Sequence, residues 1–144
     1  MEFLIILVVL SFLIGTISFA LPSKSSREIS ELRMNASKIG FKISPSNIGQ
    51  NSFKNKDVNL MIYSFKNETN LKEAHFIRDK DELILYSPLR LKYLDGYDEI
   101  KSKLNSLSPH VLEIMFSSSF VAFIWREKAG IDELEKILNL LKVF

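Results

Sequence analysis

His75 and His110 are the only imidazoles in the 144 residues, and there is no cysteine. A zinc site or an activated nucleophile needs His, Cys or carboxylate groups gathered at short spacing or by the fold, and no HExxH, CxxC or paired-histidine spacing occurs. His75 falls inside an apolar run and His110 follows Pro109 at the start of another, so both read as structural or surface groups. The densest carboxylates are Asp79, Asp81 and Glu82, beside Arg78 and Lys80. Such groups serve acid–base or hard-cation chemistry, but "DKD" between two apolar runs is hairpin-turn composition. Ser117, Ser118 and Ser119 offer hydroxyls with no Lys or His at a useful spacing, which suits a turn better than a nucleophile. The five glycines form neither GxGxxG nor GxxxxGK[ST], so no phosphate cradle is expected. These patterns predict no enzyme, no cofactor and no metal.

What remains is chemistry of contact. Trp125, Arg126 and Glu127 end an apolar strand with the single tryptophan and a charge pair at the lip of a sheet. Trp and Arg are enriched at binding hot spots, which makes this triplet the expected partner contact, set against the plainer reading of a core tryptophan. Lys24, Arg27, Arg33 and Lys38 form a basic set suited to anionic lipid headgroups, at about 1 kcal/mol per residue held at the surface and offset by Glu28 and Glu31. Asn35-Ala36-Ser37 and Asn67-Glu68-Thr69 match the glycosylation triplet, for which chance is the better account.

The lead segment decides where these residues operate. Residues 3–21 carry no charge, and as a helix they would span roughly 28 Å, close to the thickness of a bilayer core. A cleaved export signal would have a basic start and a shorter apolar run; Glu2 is acidic, although Ser18-Phe19-Ala20 offers a small-x-small site. The basic residues near the span, Lys24, Arg27, Arg33, Lys38 and Lys42, all follow it, which predicts a cytoplasmic C-terminal side and an N-terminus outside. Val8-Val9, Gly15 and Pro22 also resemble the spine of type IV pilins and pseudopilins. Those carry a basic leader ending in glycine and a glutamate five residues into the mature helix; here no leader precedes Met1 and no acid lies between Phe3 and Leu21.

Composition bounds the remainder. Apolar residues at 47% and charged residues at 25% describe a globular chain, and a net charge of +2 is too weak for nucleic-acid binding. Residues 1–22 are expected to form the anchor and residues 23–144 one soluble domain that begins with a basic juxtamembrane helix. Ser25 or Ser26 can cap that helix, Ile29, Leu32, Ala36 and Ile39 give it an apolar stripe, and Gly40 ends it. "FKIS" (41–44) is a candidate strand and 45–57 a long polar, mobile loop. The runs 58–65, 73–79 and 82–87 predict a three-stranded meander. A helix over 97–107 follows, started by Asp95 or Asp98. "VLEIMF" and "FVAFIW" are apolar on both alternating faces apart from Glu113, as central strands covered on two sides should be. Asp132 can cap a last amphipathic helix. The sum is an α+β fold: a transmembrane helix, then an antiparallel sheet of about five strands with three helices.

An N-terminal span, "LPS", a basic helix closing in "KIGFKIS", short strands, "SPHV" opening a strand, "WRE" closing one and a terminal helix together make a familiar layout. It resembles a family of small, uncharacterised, single-span membrane proteins of gamma-proteobacteria, some labelled as preprotein translocase subunits by analogy with YajC. The resemblance implies a bacterial inner-membrane address and brings no catalytic or binding residues with it. The expected function is a membrane-anchored, non-enzymatic binding or scaffold domain, an accessory of an inner-membrane complex. Its expected partners are membrane lipid and a membrane protein, not nucleic acid. A pilin-like assembly subunit and a membrane-tethered enzyme with an unrecognised site are the alternatives.

Overall fold

The computed structural model describes residues 1–46, 53–55, 57 and 59–144. The first helix, α1 (Glu2–Ala20), is apolar all round, buries nothing within the chain and is long and apolar enough to cross a membrane. Its hydroxyls are satisfied internally: Ser11 donates to the Leu7 carbonyl at 2.8 Å and Ser18 to that of Ile14 at 2.9 Å. Internal satisfaction is what a hydrocarbon environment demands of polar groups. Leu21 adopts an extended conformation before Pro22, and the helix ends there, as expected from the steric demand of proline on its predecessor.

The second helix, α2 (Lys24–Ile39), is capped by Ser23, whose side chain accepts from the Ser26 amide, rather than by Ser25 or Ser26. Capping from Ser23 lets the helix begin directly after the proline. Gly40 closes it at φ 109, a left-handed conformation that only glycine adopts without strain. Leu32 and Ala36 are buried, whereas Ile29 is half-buried and Ile39 exposed, so the stripe is narrower than its spacing implies.

Six strands, not about five, form one antiparallel sheet in the order β1-β2-β6-β5-β3-β4. They are β1 (Lys42–Pro45), β2 (Met61–Lys66), β3 (Ala74–Asp79), β4 (Glu82–Ser87), β5 (Val111–Phe116) and β6 (Phe120–Trp125). The sixth strand falls one residue later than "FKIS", over Lys42–Pro45, and pairs in register with β2 as an edge strand. The expected meander does not form. β3 and β4 make a hairpin through Lys80, at φ 53, but β2 pairs with β1 and β6 instead of β3. The reason is twofold. Ile62 and Tyr63 point to opposite faces and both are buried, which requires an inner position. The connection after β2 is no tight turn: buried Asn67 donates to the carbonyls of Leu71 at 2.8 Å and Ser117 at 2.6 Å and accepts from Thr69, carrying the chain across β6 and β5 to β3. The same bonds occupy the Asn67 amide of the second glycosylation triplet.

β5 and β6 are central, as their two-sided apolar pattern predicts. On one face, Tyr63, Phe76, Ile114, Phe116, Phe123 and Trp125 meet Leu104 of α3 (Tyr97–Asn105) and Leu134, Ile137, Leu138 and Leu141 of α4 (Ile131–Leu141). Neither helix is capped by the aspartates named above: Gly96 precedes α3 and Gly130 precedes α4, with Asp98 and Asp132 in the first turns, where they complement the helix dipole. On the other face, Ile62, Ala122 and Ile124 are covered by Phe53, 1% exposed. Thus the polar segment 45–57 delivers a core side chain; its expected mobility falls largely on 47–52 and 56, outside the described residues.

Candidate functional site

Strand register sorts the loops between two ends of the sheet. Pro45, Met61, Asp79, Glu82, Val111 and Trp125 lie at one end, and Lys42, Lys66, Ala74, Ser87, Phe116 and Phe120 at the other. α2 enters β1 at the second end, so its N-terminal half reaches back toward the first, where the chain leaves β6 through the 3-10 turn Glu127–Ala129 into α4. There α2 and the 127–131 segment enclose a groove of about 530 Å³. That volume lies within the ~300–1,000 Å³ of common ligand pockets. Ile29, Leu32 and Ile131 are its apolar contacts, and Glu28, Glu31, Asn35 and Lys128 supply polar ones.

One carboxylate locks the groove wall. Arg33 grips Glu127 as a fork, Nε to Oε1 at 2.8 Å and Nη2 to Oε2 at 2.7 Å, and the Tyr63 hydroxyl donates to Oε1 at 2.6 Å. A bidentate charge-assisted pair of this kind holds two elements at a set angle. The hydrogen bond and charge of Glu127 raise the Arg33 pKa. Burial, helped by Glu127, pushes the Tyr63 phenol well up, so it stays a donor. The sequence explains the pairing locally: about 100° per residue places Arg33 on the side of α2 that carries Leu32 and Ala36, with Lys24, Arg27 and Lys38 roughly opposite.

A second carboxylate sits on the other face of the sheet. A register shift between Val111 and Glu113 in β5 sets Glu113 opposite Ile124, fully buried. It accepts from the amides of Lys54 at 2.8 Å and Asn55 at 3.0 Å, from Asn55 Nδ2 at 3.0 Å and from His75 Nε2 at 2.5 Å. Burial raises the Glu113 pKa, but the His75 and backbone hydrogen bonds outweigh it and hold the carboxyl below the usual range. The His75 ring stands edge-on to Tyr86 and Phe53, at 5.1 and 6.2 Å. All of these donors converge on one carboxylate and tie 53–55 to the sheet, the work of a latch.

The residues expected to make contacts are distributed unevenly. Trp125 is 1% exposed, edge-on to Tyr63, and so belongs to the core rather than to a docking surface. At that burial no ring surface is left for a partner. Arg126 is exposed, and Glu127 faces the groove while bound to Arg33 and Tyr63. Arg33 is thereby committed within the domain and its fork is not available to headgroups. Lys24, Arg27 and Lys38 are exposed, with Lys24 3.9 Å from Glu28. His110 is half-buried and accepts from the Arg126 amide through its carbonyl. Arg78 donates to the carbonyls of Val111, Ser108 and Asp81 and pins the β3–β4 turn, as that cluster's turn composition predicts. Sequence reasoning did not find the Arg33–Glu127–Tyr63 cluster or the Glu113 latch. A lone glutamate in a strand buried on both faces was the available signal, because a buried charge requires partners. No family model, curated protein or solved structure matches the chain.

Proposed function

We propose that this chain is a membrane-anchored, non-enzymatic binding or scaffold domain, held by α1 at the cytoplasmic face of a bacterial inner membrane as an accessory of a membrane complex. The observation that carries the reading is the position of the groove. It opens at the end of the domain next to α1, and Ser25 on its rim is four residues beyond Leu21, so it begins within about 14 Å of the span. Its wall is pre-organised by Glu127, which reduces the ordering cost of docking. An anchor of this kind confines the domain to two dimensions and raises its effective concentration near membrane partners. The basic residues after the span favour a cytoplasmic domain, and the resemblance to small single-span inner-membrane proteins points the same way. Lys24, Arg27 and Lys38 supply the contact with lipid headgroups, and Arg126 with Glu127 the edge nearest a protein partner.

The absence of cysteine makes the topology directly testable. Lys142→Cys should resist a membrane-impermeant maleimide in intact spheroplasts and react after lysis, while Glu2→Cys should react in both. Labelling of Lys142→Cys in intact spheroplasts would place the domain outside and favour the pilin-like alternative.

A further inference from the structure

We propose that the free edge strand β4 pairs antiparallel with β4 of a second copy of this chain, joining two domains into one continuous sheet across a two-fold axis normal to it. The inference goes beyond the binding-domain reading and holds on either side of the membrane. The sheet has two edges, β1 and β4. β1 is guarded in the ways that keep edges single: it has only four residues, Lys42 opens it, and Pro45 at its end has no amide to donate. β4 has six residues, with neither lysine nor proline. Its Leu83 and Leu85 are buried under the helices, while Ile84, 47% exposed, stands on the other face. Register with β3 is continuous from Glu82 to Leu85 and slips only at Tyr86. Such an edge presents alternate unpaired amides and carbonyls, a template for another strand.

Three features make the second strand a copy of the first. Pairing centred on Ile84 sets Ile84 against Ile84 of the second copy and Leu83 against its Leu85, so apolar side chains meet on both faces of the joined sheet. Charge along the edge is polarised. The turn into β4 carries Asp79, Asp81 and Glu82 against Arg78 and Lys80, a net −1, and Arg78 is turned inward to the Val111 and Ser108 carbonyls. Around the 3-10 turn Leu89–Tyr93 that follows β4, Lys72, Arg90 and Lys92 stand against Glu73 and Asp95, a net +1. An antiparallel strand of the same sequence lays each end against the opposite charge, twice. Finally, α2 packs on the helical face through Leu32 and Ala36, and a two-fold normal to the sheet keeps both helical faces on one side. The two α1 helices, joined to α2 by residues 21–23, then enter one bilayer, and that shared anchorage raises the effective concentration of each edge for the other.

The chain has no cysteine, so single replacements report the pairing in the full chain reconstituted in phosphatidylcholine vesicles. Directly opposed residues of an antiparallel pair stand about 4.5–5.5 Å apart at Cα, within the range that a disulfide bridges. Under copper phenanthroline, Ile84→Cys should form a disulfide-linked dimer about tenfold faster than Glu135→Cys, an exposed position on α4 that reports random collision. Mixing Glu82→Cys with Tyr86→Cys chains should give the mixed dimer well above the yield of either alone, which fixes the register. In the cysteine-free chain, Ile84→Lys sets two ammonium groups at the centre of the pair and should weaken dimerisation in detergent about tenfold by analytical ultracentrifugation. Ile84 is exposed, so this variant keeps its fold, which unchanged thermal unfolding would verify; if it does not, the disulfide arms decide alone. Equal rates at Ile84→Cys and Glu135→Cys, no excess of mixed dimer, a dimer indifferent to Ile84→Lys, or an open-ended ladder of oligomers would overturn the proposal. The maleimide labelling described above tests only the side of the membrane, and its failure leaves the pairing in place.

Discussion

The two faces of the sheet solve the same problem differently. On the helical face, Glu127 meets Arg33 and Tyr63 in a pair that is partly open to solvent, the Arg33 side chain being 34% exposed. On the opposite face, Glu113 is wholly buried and collects His75, Asn55 and two backbone amides. A half-exposed pair costs little desolvation and can set an angle between elements. A buried carboxylate costs several kcal/mol to desolvate and survives only when its lone pairs are filled. The first therefore shapes a groove, whereas the second fastens a segment. The difference teaches that charge alone does not mark function here; exposure decides which carboxylate is near anything it could bind.

The contrast can be broken most severely at Glu113. Glu113→Ala should cost about 3–5 kcal/mol in denaturant unfolding of the full chain in detergent, because it orphans several buried donors at once. A loss below 1 kcal/mol would mean that the latch is not stabilising. Next in size, Glu127→Ala should cost about 1.5–3 kcal/mol, since it leaves the Arg33 guanidinium and Tyr63 hydroxyl without their shared acceptor.

Titration sharpens the comparison, because the two faces respond at opposite ends of the pH scale. The Glu113 carboxyl has a folded value below its unfolded one, so its contribution is present above the ordinary carboxylate range and is lost as pH falls through the folded value. Glu113→Gln should flatten that acid limb of the stability profile. Tyr63 has the reverse sign: its folded value lies above the ordinary 10.0, so its contribution is complete below that pH and declines as pH rises beyond it. Tyr63→Phe should flatten the alkaline limb while costing about 0.5–1.5 kcal/mol at neutral pH. The smallest effect belongs to Lys24→Ala. It should change stability by less than about 0.5 kcal/mol, as exposed pairs do, and instead reduce binding to anionic vesicles.

Much of the frame was legible in residue order. The charge-free run of 3–21 defined α1, Pro22 its end and Gly40 the end of α2, because each acts through local backbone geometry. The two-faced apolar runs at 111–116 and 120–125 placed β5 and β6 at the centre. Pairing beyond the hairpin was not legible: β2 joins β6 across more than fifty residues, and only the fold brings Asn67 to the Ser117 carbonyl that guides the crossing. Within the candidate site, the sequence grouped Arg33 with Lys24, Arg27 and Lys38 as one basic set for headgroups. It could not name Glu127, 94 residues away, as the partner.

By itself, then, the sequence determined an apolar helix, a basic and amphipathic α2, a two-sided central hairpin and a chain without thiols. Each of these follows from composition or from spacing within a few residues. Tertiary structure alone decided which charges are paired, that Trp125 is core, and that a groove opens between α2 and the 127–131 segment. Those outcomes depend on distances between segments far apart in the chain, and burial changes a charge from a solvated surface group into one that must find a partner.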